Sequence, residues 1–293
     1  MTDWNQIAAT ITAATGHPCQ PRSHRELGGG CINRAFVLRD ADQAWFVKLN
    51  DARRLDLFTA EAAGLEALAA ARAIRVPRPL CTGTAQNEAF LVMEYIPFGR
   101  AQALSPGDAG HQLAGLHRQT QDGFGWVRDN YIGATPQAND PEPDWARFWR
   151  ERRLRPQLDL ALARGYGGRL QDRGQRLLEA CPALLDHAPP PSLLHGDLWG
   201  GNLAYDQAGR AVIFDPATYY GDREADLAMT ELFGGFGADF YAAYHEAWPL
   251  DPGYPVRREL YNLYHILNHL NLFGAGYLGQ AQTMIERLLA ALG

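Results

Sequence analysis

The sequence predicts an α+β fold with two lobes, an N-terminal lobe of residues 1–96 and a larger, mainly helical C-terminal lobe of residues 97–293. β-Prone runs bounded by turn residues are concentrated in the first third of the chain. In the remainder, apolar residues recur mainly at helical spacing. Because strands and helices are segregated along the chain, we expect an antiparallel sheet in the first lobe and a cleft between the lobes.

The N-terminal lobe is predicted to contain two helices, a hairpin and a further strand. The turn-like residues 40–42 separate two β-prone runs, which indicates the hairpin. Pro77 and Pro79 follow the second helix, and proline cannot continue a helix. The predicted elements are a helix beginning near Trp4, strands over 35–38 and 45–49, a helix over 57–68 and a strand over 90–96.

The C-terminal lobe is predicted to be helical apart from one short hairpin. Ser105 and Pro106 suit the start of a helix, with Asp108 in its first turn. The predicted elements are this helix, a long helix over 145–162, strands over 203–205 and 212–214, and helices over about 223–233, 239–246, 256–273 and 280–292.

Composition and charge exclude several classes of protein. Lys and Arg number 27 against 33 Asp and Glu, a net charge of −6, so we expect no nucleic-acid partner and no anionic membrane partner. The first residues do not resemble a signal peptide, and there is no apolar stretch long enough for a transmembrane helix. None of the four cysteines forms a CxxC pair. We therefore expect a cytoplasmic protein with reduced thiols.

The most informative string is HGDLWGGN at 195–202, followed by Asp215. Asp197 and Asn202 are five residues apart, and Asp215 lies thirteen residues further on, across the predicted hairpin. This is the spacing of the kinase catalytic loop and its metal-binding aspartate. A lone HGD could be a turn and a lone Asp-Pro a helix cap, but the joint spacing is far more specific than either.

Phosphoryl transfer explains why these residue types occur together. The transferred group is highly anionic, so Mg²⁺ must bridge the oxygens of ATP, and Mg²⁺ prefers hard oxygen ligands. We assign Asn202 and Asp215 as metal ligands. We assign Asp197 as the catalytic base that orients the acceptor hydroxyl and takes its proton. ATP and Mg²⁺ are therefore the predicted cofactors.

Upstream residues fit the same chemistry. Glycines let a loop approach phosphates and point its amides at them, although a glycine triplet is often only a flexible turn. Lys48, in a predicted strand, could pair with ATP phosphates and be held by Glu61; alternatively, it could be a solvated edge lysine. The segment 94–96 would offer backbone groups to adenine. The predicted ATP-binding residues are Gly28, Gly29, Gly30, Cys31, Ile32, Asn33, Lys48, Glu61, Glu94, Tyr95 and Ile96.

Over nearly its whole length the chain resembles the fructosamine (ketosamine) kinases, within the broader group of kinases similar to aminoglycoside phosphotransferases. The more specific strings are HGDLWGGN and DNYIG followed by TPQ at 129–137. Further matches are GGGCIN at 28–33, FVK at 46–48, FW at 148–149, RLRPQL at 153–158, DPA at 215–217 and YGDRE at 220–224. Arg34 departs from the family pattern, which has an acidic residue there.

The resemblance implies ATP-dependent phosphorylation of a ketose joined to an amine, at the third carbon of the sugar. The phosphorylated adduct is less stable and falls apart, so the implied role is deglycation of a free or protein-bound ketosamine. On resemblance alone, Asp129, Asn130 and Tyr131 border the acceptor pocket. Trp199 either stacks on the sugar or braces the catalytic loop.

Other functions stay open at this stage. The enzyme alternative is another small-molecule phosphotransferase, acting on an aminoglycoside or an amino alcohol. A protein kinase is disfavoured, because the short sequence after Asp215 leaves little room for an activation segment. The non-enzymatic alternative is a nucleotide-binding regulator without turnover.

Several residues have simpler structural interpretations. His265 and His269 have a spacing seen in some zinc sites, but we expect them to pack or to pair with nearby asparagines. We expect His117 to lie in the core or at the end of a helix, Trp145, Phe148 and Trp149 to lie in the core, and Asp226 to hold the backbone amides of the catalytic loop. Cys31 is a candidate redox switch, so we expect a monomer or a redox-linked dimer.

Overall fold

The structure is a computed structural model that describes residues 2–28, 32–99 and 107–293. The chain divides into two compact units, Met1–Leu104 with Ala204–Pro216, and Ser105–Leu203 with Ala217–Gly293. The first unit carries an antiparallel sheet and the second is mainly helical, which confirms the predicted α+β class. The lobe boundary after residue 96 stays a prediction. Among the described residues, we find no helix that could cross a membrane.

The first unit is built on a five-stranded antiparallel sheet in the order β1-β2-β3-β5-β4. Its helix α1 begins at the N-cap Asp3, whose carboxylate accepts a hydrogen bond from the amide of Gln6, and ends at Gly16 with a φ of 72°. Its consecutive elements are α1 Trp4–Thr15, β1 Ser23–Leu27, β2 Arg34–Arg39, β3 Ala44–Asp51, α2 Leu55–Ala71, β4 Pro79–Ala85 and β5 Glu88–Glu94.

The central strand β3 separates an apolar face from a polar one. Trp45, Val47 and Leu49 pack into the apolar core with residues of α1 and β5. Because successive side chains of a strand point to opposite faces, Lys48 points away from that core. This alternation places a charged side chain on the central strand of the sheet, where it is 5% exposed.

The rest of the chain is helical apart from short paired strands. In chain order the elements are α3 Asp108–His117, β6 Asn130–Ile132, β7 Thr135–Gln137, α4 Trp145–Trp149, α5 Arg155–Ala163, α6 Arg169–Ala180, β8 Ser192–Leu194, β9 Leu203–Tyr205, β10 Ala211–Ile213, β11 Tyr219–Gly221, α7 Glu224–Leu232, α8 Ala238–Ala247, α9 Tyr254–Phe273 and α10 Leu278–Ala291. The strands pair as β6 with β7, β8 with β11, and β9 with β10. Trp145, Phe148 and Trp149 are at most 3% exposed, which confirms that they belong to the core.

Several predicted boundaries were wrong. The strand predicted to end at Ile96 ends at Glu94, and the predicted strand 212–214 lies at Ala211–Ile213. The predicted helix 145–162 is interrupted by a π-helical turn at Arg150–Leu154. Ser105 and Pro106, the predicted start of a helix, lie outside the described residues. β1 was missed because four of its five residues are exposed, so it carries no alternation of apolar and polar residues.

Candidate active site

Lys48 and Glu61 form the ion pair that the sequence predicted. Lys48 Nζ lies 2.7 Å from Glu61 Oε1, and the two residues are only 5% and 9% exposed. α2 provides Glu61 on the face of the sheet toward which Lys48 points. A buried ion pair of this kind fixes the position of the ammonium group within the first unit.

Asp215 completes a cluster of charges around the buried Lys48. Its Oδ1 lies 2.5 Å from Lys48 Nζ, and its side chain remains 45% exposed. Burial alone would lower the pKa of Lys48, but the charges of Asp215 and Glu61 outweigh it and raise that pKa above its usual value. Burial raises the pKa of Glu61 to about 7, against the opposing charge of Lys48. When all three groups are ionised, the cluster has a net charge of −1, which suits the binding of a metal cation.

The backbone of Asp215 has a φ of 59°, in the left-handed region that non-glycine residues rarely adopt. Aspartate tolerates this conformation better than most residues, and such conformations cluster at functional sites. The hairpin β9–β10 that precedes Asp215 is tied into the first unit. Arg75 forms ion pairs with Asp206 and with Glu94, the latter at 2.8 Å, and its carbonyl accepts a hydrogen bond from the amide of Ile213 at 3.0 Å. Sequence reasoning missed Arg75.

The predicted phosphate loop is described only in part, because Gly29, Gly30 and Cys31 lie outside the described residues. The redox hypothesis for Cys31 therefore stays a prediction. Asn33 Oδ1 accepts a hydrogen bond from Asn50 Nδ2 at 2.7 Å, which ties the end of the loop to β3. Gly28 and Ile32, the other described residues of the loop, are both exposed.

The predicted adenine-facing segment has different surroundings at each residue. The backbone N–H of Glu94 donates to the carbonyl of Arg78 at 2.8 Å. The ring of Tyr95 lies under the guanidinium of Arg39, and Ile96 is 6% exposed. The roles of Glu94, Tyr95 and Ile96 toward adenine stay predictions.

In the second unit, Asp226 holds the backbone of the catalytic loop, as predicted. Its carboxylate accepts hydrogen bonds from the amides of His195 at 2.7 Å and Gly196 at 2.8 Å. The ring of His117, which is fully buried as expected, lies 3.2 Å from the same carboxylate. Gly196 has a φ of 83°, and a Cβ there would lie 2.1 Å from the carbonyl oxygen of Ala217. Glycine is therefore required at this position.

Asp197 follows this anchored turn and is only half-buried. Its backbone carbonyl accepts a hydrogen bond from Asn202 Nδ2 at 2.9 Å, and Asn202 is 6% exposed. That bond uses the amide nitrogen of Asn202; the other polar atom of the amide is an oxygen, the type of ligand that Mg²⁺ prefers. The donor types at Asn202 and Asp215 therefore fit magnesium.

Trp199 lies against the same loop and remains 39% exposed. A Cβ on Gly201 would lie 2.3 Å from the Trp199 ring, so the ring rests on the loop where only a glycine fits. This contact supports the interpretation that Trp199 stabilises the loop, whereas the exposed part of its ring supports the interpretation that Trp199 binds a sugar. Both interpretations stay open.

Asn130, expected at the acceptor pocket, is 4% exposed and supports the segment that follows Asp215. Its Nδ2 donates to the carbonyl of Thr218 at 2.7 Å, and its Oδ1 accepts from Gln137 Nε2 at 2.8 Å. Asp129 accepts a hydrogen bond from the amide of Asn139 at 2.8 Å, and Tyr131 is half-buried. That Asp129, Asn130 and Tyr131 border the acceptor pocket stays a prediction.

The network around Asn130 extends to a buried cation that sequence reasoning missed. Arg153 is fully buried, donates to Asn139 Oδ1 at 2.7 Å and stacks on the ring of Tyr219 at 4.1 Å. The sequence signal for Arg153 was its place in the RLRPQL string, one of the matches to the family. Asn139 donates in turn to Asn130 Oδ1 at 2.9 Å, and Gln137 donates to the carbonyl of Ala217 at 3.3 Å, so the network links the strings at 129–137, 153–158 and 215–217.

Solved structures share this fold over nearly the whole chain. The crystal structure of a candidate fructosamine-3-kinase from Haemophilus somnus superposes with a TM-score of 0.90 at 30% identity, covering 98% of this chain and 97% of the other. An aminoglycoside phosphotransferase superposes with a TM-score of 0.59 at 15% identity, covering 98% and 99% of the two chains. The latter likeness shows the protein-kinase-like fold alone.

Curated relatives are similar over comparable lengths. A probable ketoamine kinase of Synechocystis is 50% identical over 287 residues, covering 98% of this chain and 97% of the relative. A chloroplastic protein-ribulosamine 3-kinase of Oryza sativa is 42% identical over 273 residues, covering 91% and 78%. The family model for fructosamine kinase matches residues 3–291 of the chain. The chain therefore belongs to the fructosamine kinase family.

Proposed function

We propose that this protein transfers a phosphoryl group from ATP to the third-carbon hydroxyl of a ketose joined to an amine. The observation that carries the proposal is the cluster of Lys48, Glu61 and Asp215, with contacts of 2.7 and 2.5 Å around the buried lysine. A lysine with two carboxylates, one of them partly exposed, suits a bound nucleotide phosphate and its metal. Family membership supports the acceptor class.

Lys48 is proposed to contact the phosphates of ATP, and Glu61 to hold it in place. The loop residues 28–33 would place backbone amides against the same phosphates. Asp215 and Asn202 would hold Mg²⁺, which neutralises charge that develops on the phosphate oxygens.

Asp197 is proposed as the base that accepts the proton of the attacking hydroxyl. Asp226 fixes His195 and Gly196, the two residues immediately before Asp197. The Asp197 side chain is thereby held by an anchored loop and stays partly exposed to an acceptor. Trp199, two residues further on, is proposed to lie against the sugar. Phosphorylation of the adduct would weaken it, which gives the protein a role in deglycation.

The test is ATP consumption by the purified protein with fructose joined to a simple alkylamine. We expect magnesium-dependent turnover with this adduct and phosphate on the third carbon of the product, located by NMR spectroscopy. An aminoglycoside and an amino alcohol serve as alternative acceptors. Preferred turnover of either would overturn the assignment of the acceptor, and ATP binding without turnover of any acceptor would favour a regulator.

A further inference from the structure

A continuous row of aromatic rings begins at the catalytic loop and leads away from it within the second unit. The ring centroids of Trp199 and Phe233 are 6.2 Å apart, and those of Phe233 and His269 are 5.0 Å apart. His269 in turn lies 5.3 Å from Phe273 and 5.2 Å from Tyr277. We call Phe233, His269, Phe273 and Tyr277 the aromatic platform.

Close contact between two backbones places this platform beside the catalytic loop. A Cβ on Gly200 would lie 2.7 Å from the carbonyl oxygen of Gly234, and a Cβ on Gly235 would lie 2.7 Å from the Cα of Gly200. Gly235 also has a φ of 106°, which favours glycine. The segment after α7 can therefore touch the loop directly, and this contact brings Phe233 next to Trp199.

The helix α9 supplies the outer part of the platform. His269 and Phe273 are four residues apart on this helix, so their side chains lie on one face. Tyr277 follows in the short turn after the helix ends at Gly274. The platform thus joins two separate parts of the chain, the segment after α7 and the end of α9 with the turn that follows it.

Two of the four platform rings are exposed, unlike the aromatic rings in the core of the unit. Phe233 is 42% exposed and Phe273 is 54% exposed, whereas Phe148 and Phe240 are at most 4% exposed. Exposed apolar side chains that are grouped, rather than scattered, mark binding surfaces. Their continuity with the catalytic loop indicates that the ligand is part of the acceptor.

The chemistry of the platform favours a cation. Partial burial lowers the pKa of His269, so its ring is neutral near pH 7 and adds no positive charge. Aromatic faces attract ammonium groups and also pack against methylene chains. A ketose joined to an alkylamine contains both features, because its secondary amine is protonated near neutral pH.

We propose that the aromatic platform binds the amine portion of the acceptor, an alkylammonium chain like that of a lysine side chain, while the ketose lies toward Asp197. This inference rests on the proposed function for the identity of the acceptor. It assigns Phe233 and Phe273 as residues that distinguish amine-linked ketoses from other sugars.

The test compares two ligands that differ at one atom, which carries the positive charge in one of them and is neutral in the other. One is fructose joined to butylamine through its first carbon, and the other is the ether in which oxygen replaces the amine nitrogen. Binding to the full chain is measured by calorimetry without nucleotide. We expect wild type to prefer the amine about three- to thirtyfold, the range for a cation near aromatic rings.

Phe233→Leu and Phe273→Leu should each reduce this preference, because leucine keeps apolar volume but removes the π face. Phe233→Tyr, which keeps an aromatic face, should retain the preference for the amine. Phe236→Leu is the matched control: it makes the same change three residues away, where the ring packs against Phe240 at 4.7 Å. Phe273 is the more exposed of the two test positions, so Phe273→Leu is the less disruptive change. If Phe233→Leu does not fold, Phe273→Leu still tests the proposal.

An unchanged preference in Phe273→Leu, and in Phe233→Leu where that variant folds, would overturn the proposal, as would equal loss of affinity for both ligands. Turnover with ATP separates this outcome from failure of the proposed function. If wild type phosphorylates the adduct but the preference does not depend on the rings, only the platform assignment fails. If the rings set the preference but no phosphate is transferred, the platform assignment stands and the proposed reaction fails.

Discussion

Replacing Asp226 by asparagine tests whether one buried carboxylate holds the catalytic loop. Asp226 is 1% exposed and receives hydrogen bonds from the amides of His195 and Gly196. Burial would raise its pKa, but the hydrogen bond and charge of His117 and the bond from Gly196 lower that pKa below its usual value. The carboxylate is therefore ionised at neutral pH, and both of its oxygens act as acceptors.

The expected magnitude follows from counting these acceptors. Asparagine has almost the same shape but only one oxygen, so in either orientation its NH₂ group faces a backbone N–H of His195 or Gly196. A buried donor left without an acceptor costs about 1–3 kcal/mol. The remaining bonds also lose the assistance of the charge, so we expect a total loss of about 2–4 kcal/mol in the free energy of unfolding. Displacement of Asp197 by about 1 Å would lower turnover about a hundredfold.

The assay is urea denaturation of Asp226→Asn together with kcat and KM at saturating magnesium. Asp186→Asn is the control, because Asp186 is exposed and lies shortly before β8. A loss below about 0.5 kcal/mol, the usual range for surface changes, together with unchanged kcat, would refute the reasoning.

Three further predictions concern the base, the metal and acid stability. Asp197→Asn should keep ATP binding while turnover falls at least about a hundredfold; near-normal turnover of the purified variant would contradict its role as base. Asp215→Ala should abolish the effect of magnesium on nucleotide affinity, measured by calorimetry with and without the metal; if magnesium still tightens binding as in wild type, Asp215 is not a ligand. Burial lowers the pKa of His265 to about 3, from an ordinary value of 6.5. Below pH 6.5 the unfolded chain takes up a proton on this histidine and the folded chain does not. The free energy of unfolding therefore decreases as the pH is lowered, by about 2 kcal/mol between pH 6.5 and 5. His265→Gln should remove that part of the decrease in denaturation experiments at both pH values, and an equal decrease in both proteins would show that another group is responsible.

The local motifs could be predicted from the sequence because their chemistry is local. Asp197 and Asn202 belong to one loop, and their spacing alone indicates a base and a metal ligand. The roles of Asp226 and His117 were also accessible, since a buried carboxylate or histidine next to a catalytic loop must find hydrogen-bond partners. The α+β class followed from the segregation of strands and helices along the chain.

Contacts between distant parts of the chain were decided by the tertiary structure. Lys48 and Asp215 are separated by 167 residues, and Arg75 and Asp206 by 131, so no local pattern connects them. The resemblance marked Asn130, but only the structure shows that its side chain donates to the carbonyl of Thr218, in the segment that follows Asp215. The aromatic platform could not be predicted either, because the spacing of His269 and Phe273 is that of any two residues four apart on a helix. Only the close approach of Gly200 to Gly234 and Gly235 brings Phe233, and with it these rings, to the catalytic loop.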